Sequence, residues 1–203
     1  MKKLNRDFYM RDTLIVAREL LGTYLVHETS GHKVMGRIVE TEAYIGPEDK
    51  GSHSYGGKRT KRTEVMYHIG GTSYVYLIYG MYYCFNVVTE QVDKPSAVLI
   101  RAVEPVGGED IMSRLRYGLE YSSLSSKQKI NIANGPGKLC TAMGIGKAEN
   151  DLDLCGKNLY ICEAPGEKFT IRTSPRVNIN YAEEYIHMPW RFYIDGNKYV
   201  SQP

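Results

Sequence analysis

The sequence predicts an α+β fold: one mixed domain, residues 1–203, around a curved antiparallel β-sheet with a protruding β-hairpin and several short helices. Three observations point there. Apolar and polar residues alternate at period two in several short runs, the pattern of half-buried strands. Helical spacing occurs too, but only in brief stretches closed by glycine or opened by proline. A chain of 203 residues buries roughly 70% of its unfolded surface in a single core, so no second domain is called for.

Taken in order, Thr13 can cap a helix whose apolar residues Leu14, Ala17, Leu20 and Leu21 share one face, with Gly22 as its stop. Tyr24 to His27 and Val34 to Ile45 then read as strands. A second helix fits Glu109 to Tyr117, behind Gly107 and Gly108. A third opens at Gly135-Pro136, proline suiting the first helical position, and runs to Met143 before Gly144. Asn158 to Glu163, Lys168 to Arg172 and Trp190 to Ile194 read as short strands, and Ser122 to Ser126 (SSLSS) as a loop. No internal repeat or low-complexity segment interrupts this order.

Composition excludes several classes. With 42% apolar and 24% charged residues the chain is an ordinary soluble globular protein. A net charge of +3 gives no global field toward a polyanion, so any such signal must be local. The cysteines Cys84, Cys140, Cys155 and Cys162 lack zinc-ligand spacing, and reduced buried thiols in a cytoplasmic protein are expected, with no metal site. The N-terminal lysines are followed by no apolar stretch of a secretory signal, and no segment approaches the ~20 apolar residues of a membrane span.

The most informative stretch is Ser73 to Asn86, SYVYLIYGMYYCFN. It carries five of the chain's 17 tyrosines, against only 4 phenylalanines and 1 tryptophan overall. A core does not need that many phenols, because each buried hydroxyl must find a partner. Flat rings with a polar tip suit stacking on something planar from solvent, and nucleic acid bases are the commonest such partner. Tyr74, Tyr76 and Ile78 share one strand face. Beyond the break, Tyr82, Cys84 and Asn86 share a face opposite Tyr83, Phe85 and Val87. Two strands joined at Tyr79-Gly80 make a hairpin, glycine supplying the positive φ of a tight turn. Tyr79 at the tip is either folded back on its sheet or exposed as a wedge between base pairs.

Three other segments carry chemistry. In RIVETEAYI (Arg37 to Ile45), Glu40, Glu42 and Tyr44 lie on one face. They form either a solvated face or a general base in an aromatic cleft, and alternation does not choose between the glutamates. His53, in PEDKGSHSYGG, is a lone loop histidine. The others, at 27, 32, 68 and 187, give it no metal-binding pair. Lys58, Arg59, Lys61 and Arg62 follow in GGKRTKR, a solvated loop or a phosphate clamp. GPGKLC (Gly135 to Cys140), with Lys138, opens a helix and offers a weaker anion site.

In this order, RIVETEAYIGPED, SHSYGG, SYVYLIYGMYYCFN, LIRAVEP, GPGKLC and PWRFY resemble the alkyladenine (3-methyladenine) DNA glycosylase family, from about Thr13 to Tyr193. The resemblance implies a monofunctional repair enzyme that flips alkylated or deaminated purines out of duplex DNA. It would then hydrolyse the N-glycosidic bond, without a cofactor and as a monomer. It implies Glu42 as the base activating water and Arg101, in LIRAVEP, as the residue helping to hold that water and the nearby backbone. Tyr44, His53 and Tyr76 would enclose the flipped base, Asn86 would disfavour guanine through its exocyclic amine, and Tyr79 would fill the gap in the duplex. No lysine matches a catalytic position, so no Schiff base and no strand nicking are expected. Two rivals share parts of the pattern. A non-catalytic binder of damaged or single-stranded DNA would use the tyrosines and basic loop but not Glu42. A carbohydrate hydrolase would pair carboxylates with aromatics but would have no use for the basic loop. Preference among 3-methyladenine, 7-methylguanine, hypoxanthine and ethenoadenine is left open.

Overall fold

A computed structural model describes residues 1–29 and 31–202 of the chain. Its frame is an open antiparallel sheet of eight strands: β1 (Tyr24–Thr29), β2 (His32–Ile45), β3 (Ser73–Ile78), β4 (Tyr82–Thr89), β5 (Ser96–Gly107), β6 (Leu159–Cys162), β7 (Ile171–Ser174) and β8 (Arg191–Ile194). The main path runs β3-β4-β5-β2-β1-β6, with β8 paired to β2 and β7 to β8. Five short α-helices complete one mixed α+β domain: α1 (Arg6–Tyr9), α2 (Thr13–Glu19), α3 (Glu109–Tyr117), α4 (Ser126–Ile130) and α5 (Pro136–Met143).

The long strand β2 organises the rest. One edge pairs with β5 from Met35↔Gly107 to Ile45↔Ser96, while the other pairs with β1 over Thr29↔His32 to Tyr24↔Arg37 and with β8 over Glu40↔Tyr193 to Glu42↔Arg191. Its register against β5 slips at Met35/Gly36 and on both sides of Glu40, bulges that bend a strand and re-aim its side chains. On one side of the sheet α5 packs against β4 and β5, α3 against α5, and α2 against β2 and β5. Phe85, Ile38, Ile100, Leu139 and Met143 lie in this core with almost no exposure. The other face of β3, β4 and β2 is left for the site.

Several boundaries differ from the sequence reading for local reasons. The cap of α2 is Asp12, whose Oδ1 accepts the Leu14 and Ile15 amides at 2.9 and 3.1 Å. The Thr13 hydroxyl instead contacts Thr89 Oγ1 (2.9 Å) and Glu90 Oε1 (2.6 Å). The SSLSS loop contains the start of α4, where Ser125 and Gln128 form a reciprocal capping box. Helix α1, capped by Asn5, is only four residues long, too short for a periodic signal. Strand β5 is buried on both faces over Ser96–Val103, so it reads as a continuous apolar run without alternation. Strands β6 and β8 are shorter than expected, and β7 lies at 171–174 rather than 168–172.

The hairpin turn is also longer than expected. Ile78 pairs with Tyr82, leaving a three-residue loop Tyr79–Met81 closed by the Met81 amide donating to the Ile78 carbonyl at 3.2 Å. Both Tyr79 (φ 54°) and Gly80 (φ 71°) are left-handed, so the tyrosine shares a strain that glycine alone was expected to carry.

Candidate active site

The site is built on one face of β2 and its neighbours. Glu40 and Glu42 are both fully buried, so the solvated face is not what β2 presents. Burying two carboxylates is expensive unless each is paired and hydrogen-bonded. Arg101, on the adjacent strand β5, meets both: Nε donates to Glu40 Oε1 at 3.0 Å and Nη1 to Glu42 Oε2 at 3.2 Å. Burial works against the charge on Arg101, but Glu42 and then Glu40 outweigh it and raise its pKa.

Their remaining partners separate the two glutamates. Glu40 Oε1 also accepts Arg191 Nε (2.7 Å) and Ser201 Oγ (2.9 Å), and Oε2 accepts the Ser201 amide (2.7 Å). Glu42 Oε2 accepts the Tyr44 hydroxyl (2.9 Å), and Oε1 accepts the Val177 amide (2.7 Å). Tyr44, Arg101 and Val177 line a cavity of about 280 Å³ together with His53, Tyr76 and Tyr79. Glu40 is thus locked by the C-terminal strand and tail, whereas everything that holds Glu42 faces the cavity.

Tyr44, His53, Tyr76 and Tyr181 also border a smaller recess of about 40 Å³ that reaches Tyr74 and Asn86. His53 and Tyr76 meet edge to face, centroids 4.6 Å apart at 72°. Tyr74 and Tyr76 lie 5.2 Å apart. His53 Nδ1 is 2.9 Å from the Tyr74 hydroxyl, and Asn86 Nδ2 donates to the Tyr74 carbonyl at 3.0 Å. Burial, reinforced by the Arg62 charge, lowers the His53 pKa to about 4, so the imidazole is neutral at physiological pH. Burial and then the Glu42 charge push the Tyr44 phenol well above its usual range, and it stays a donor. Burial likewise raises Tyr76, and takes Tyr74 up to about 12. The hairpin projects beyond this cleft with Tyr79 76% exposed, flanked by exposed Met81 and Tyr82.

A family model described as methylpurine-DNA glycosylase matches residues 7–198. Relatives from Desulfitobacterium hafniense (57% identical, 99% of each chain), Clostridium acetobutylicum (53%, 98% of this chain and 97% of the relative) and Clostridium novyi (53%, all of both chains) carry the name "Putative 3-methyladenine DNA glycosylase". The chain belongs to the methylpurine-DNA glycosylase family. The family's enzymes are hydrolases of N-glycosyl bonds, and the resemblance read from the motifs falls within the matched residues 7–198. Among the described residues no helix is long and apolar enough to cross a membrane, and no cluster of three or more His, Cys, Asp or Glu could hold a metal ion.

In this cleft and its recess the fold brings together Glu42, Arg101, Tyr44, His53, Tyr76, Asn86 and Tyr79. The cations are distributed less uniformly. Lys58 and Lys61 lie in the exposed loop, and the Arg62 guanidinium sits 5.0 Å from the Tyr76 ring centre. Arg59 is held instead by Glu64 (2.8 Å) and Asp93 (2.7 Å). Lys138 is half-buried and donates to Asn131 and Asn134 at 3.1 and 2.9 Å. Burial, with Arg116 nearby, lowers its pKa.

Other residues of the site have no role that the sequence pattern assigns, although Arg191 stands in the PWRFY motif. The Val177 contact uses a backbone amide, which no side-chain pattern encodes. Tyr181 reaches the recess from a segment with no strand or helix pattern. Arg191 and Ser201 join Glu40 from more than 150 positions away (|i−j| 151 and 161). Asp49 is visible in the PED motif but acquires meaning only beside Arg176.

Proposed function

We propose that the protein excises alkylated or deaminated purines from duplex DNA by hydrolysis of the N-glycosidic bond. The observation that carries this reading is the buried Glu42 carboxylate whose holders all open onto an aromatic cleft beside an exposed hairpin tyrosine. A base inside a duplex is out of reach, so it must rotate out, at a cost of a few kcal/mol that is least for a poorly paired lesion. Tyr79 would fill the gap left behind, as apolar wedges do elsewhere. The flipped purine would lie among Tyr44, His53 and Tyr76, where a cationic alkylated ring gains cation–π attraction that a normal purine lacks. Asn86, in the recess, would meet the exocyclic amine of a normal guanine.

Glu42 would take the proton of the attacking water and stabilise the oxocarbenium-like sugar. A carboxylate has about four lone-pair sites. Oε2 already accepts two donors and Oε1 accepts one, which leaves Oε1 the capacity for a water. Arg101 would help hold that water. Lys58, Lys61 and Arg62 are the cations best exposed for the DNA backbone, with Arg59 and Lys138 available only by leaving their present partners.

The test is a glycosylase assay on one duplex context carrying 3-methyladenine, 7-methylguanine, hypoxanthine or ethenoadenine in turn, run with and without borohydride. Free base released from at least one lesion, with no trapped enzyme–DNA adduct, is expected. Binding without base release would show a non-catalytic damage binder, and a trapped adduct would overturn the water-only mechanism.

A further inference from the structure

Arg176 lies outside every motif of the sequence, and its side chain is completely buried. Its guanidinium grips Asp49 with two parallel contacts, Nη1–Oδ2 at 2.5 Å and Nη2–Oδ1 at 2.7 Å, and Nη1 also donates to the Ala43 carbonyl at 3.0 Å. It lies against two aromatics, 4.7 Å from the Tyr44 ring centre and 5.0 Å from that of Trp190. Asp49 in turn accepts the Ile45 and Gly51 amides, so the loop that carries His53 is tied to the same point.

As a stability device this is a poor one. Buried ion pairs are often matched by apolar packing, and Nε of Arg176 is left buried without a partner. What the pair does supply is position. Glu42 is held by two neutral donors, the Tyr44 hydroxyl and the Val177 amide. The first belongs to the ring on which the guanidinium lies, and the second to the residue covalently next to Arg176.

We propose that Arg176, anchored by Asp49, is a positioning residue for the Glu42 carboxylate, setting at once the Tyr44 and Val177 donors that orient it. This rests on the reading of Glu42 as the general base. An error of about 1 Å in a reacting group can cost on the order of 100-fold in rate. Lysine in place of Arg176 keeps the charge but loses the two-pronged grip and the flat stacking surface.

The test is a double-mutant cycle on single-turnover release of 3-methyladenine from duplex DNA methylated with dimethyl sulfate. Arg176→Lys is expected to lower the rate roughly 10- to 100-fold, with binding of the methylated duplex changed by less than about threefold. In the Glu42→Gln background the same substitution is expected to cost less than about threefold, because there is no base left to position. Equal factors in both backgrounds, or a wild-type rate for Arg176→Lys, would overturn the assignment. If Arg176→Lys does not fold, Gly51→Ala takes its place in the cycle: its methyl would stand 2.8 Å from Nη2 and displace the guanidinium without removing its charge. An undiminished rate in Glu42→Gln alone would remove the general base itself, and this proposal with it.

Discussion

Glu40 and Glu42 stand two residues apart on one strand, are equally buried and share one arginine, yet they belong to different regions. Around Glu40 the molecule is closed. Arg101, Arg191 and both the amide and the hydroxyl of Ser201 surround the carboxylate, and these contacts join β2, β5, β8 and the C-terminal tail. Around Glu42 it is open, since Tyr44, Arg101 and Val177 all line the cleft. The lesson is that burial and charge pairing do not distinguish a structural carboxylate from a chemical one. The distinction lies in what the partners face.

The same substitution at the two positions is the sharpest way to break this comparison. Glu40→Gln leaves Arg191 and half of Arg101 without a counter-charge, and losing one partner of a buried pair costs about 3–5 kcal/mol. Urea unfolding should show that loss, and the surviving folded enzyme should still release base. Glu42→Gln should reverse the pattern. Base release falls by ~100-fold or more, the range for losing a general base, while lesion binding and the unfolding midpoint change little. Similar losses of rate in both variants would erase the division between the two regions.

Smaller effects sharpen the open region. Tyr79→Ala removes a side chain that is 76% exposed, so stability should be within about 0.5 kcal/mol of wild type. Lesion-duplex binding should weaken by about 1–3 kcal/mol, the worth of one base–aromatic stack. Fluorescence anisotropy at fixed salt measures this, and unchanged affinity would leave Tyr79 an exposed turn residue with no part in binding. The last test concerns pH. Burial lowers His53 to about 4 from its ordinary 6.5, so the unfolded chain binds the proton more readily. That contribution to stability is complete above pH 6.5 and is lost as pH falls toward 4. Comparing unfolding of the wild type and His53→Gln from pH 4 to 8 isolates it. Equal slopes in the two proteins would contradict a neutral buried imidazole.

Much of this arrangement is legible in the chain itself. Period-two alternation gives the face shared by Glu40, Glu42 and Tyr44, and the register Tyr76↔Cys84 and Tyr74↔Asn86 keeps the expected hairpin face together. The glycine-bounded helices α3 and α5 fall where their signals place them. Strand β5 and helix α4 are harder to see, one because a strand buried on both faces loses alternation and the other because it spans barely more than a turn.

Sequence alone determined the α+β class, the hairpin with an aromatic at its tip, and two carboxylates on one face, because these follow from local periodicity and turn chemistry. Whether that face met water, and which glutamate's partners faced the cleft, depended on residues distant along the chain. Only the tertiary structure brought the Val177 amide and Arg176 to one end of the pair, and Arg191 and Ser201 to the other. Solvation and hydrogen-bond partners are properties of assembled surfaces, and a strand's own residues do not encode what will be packed against it.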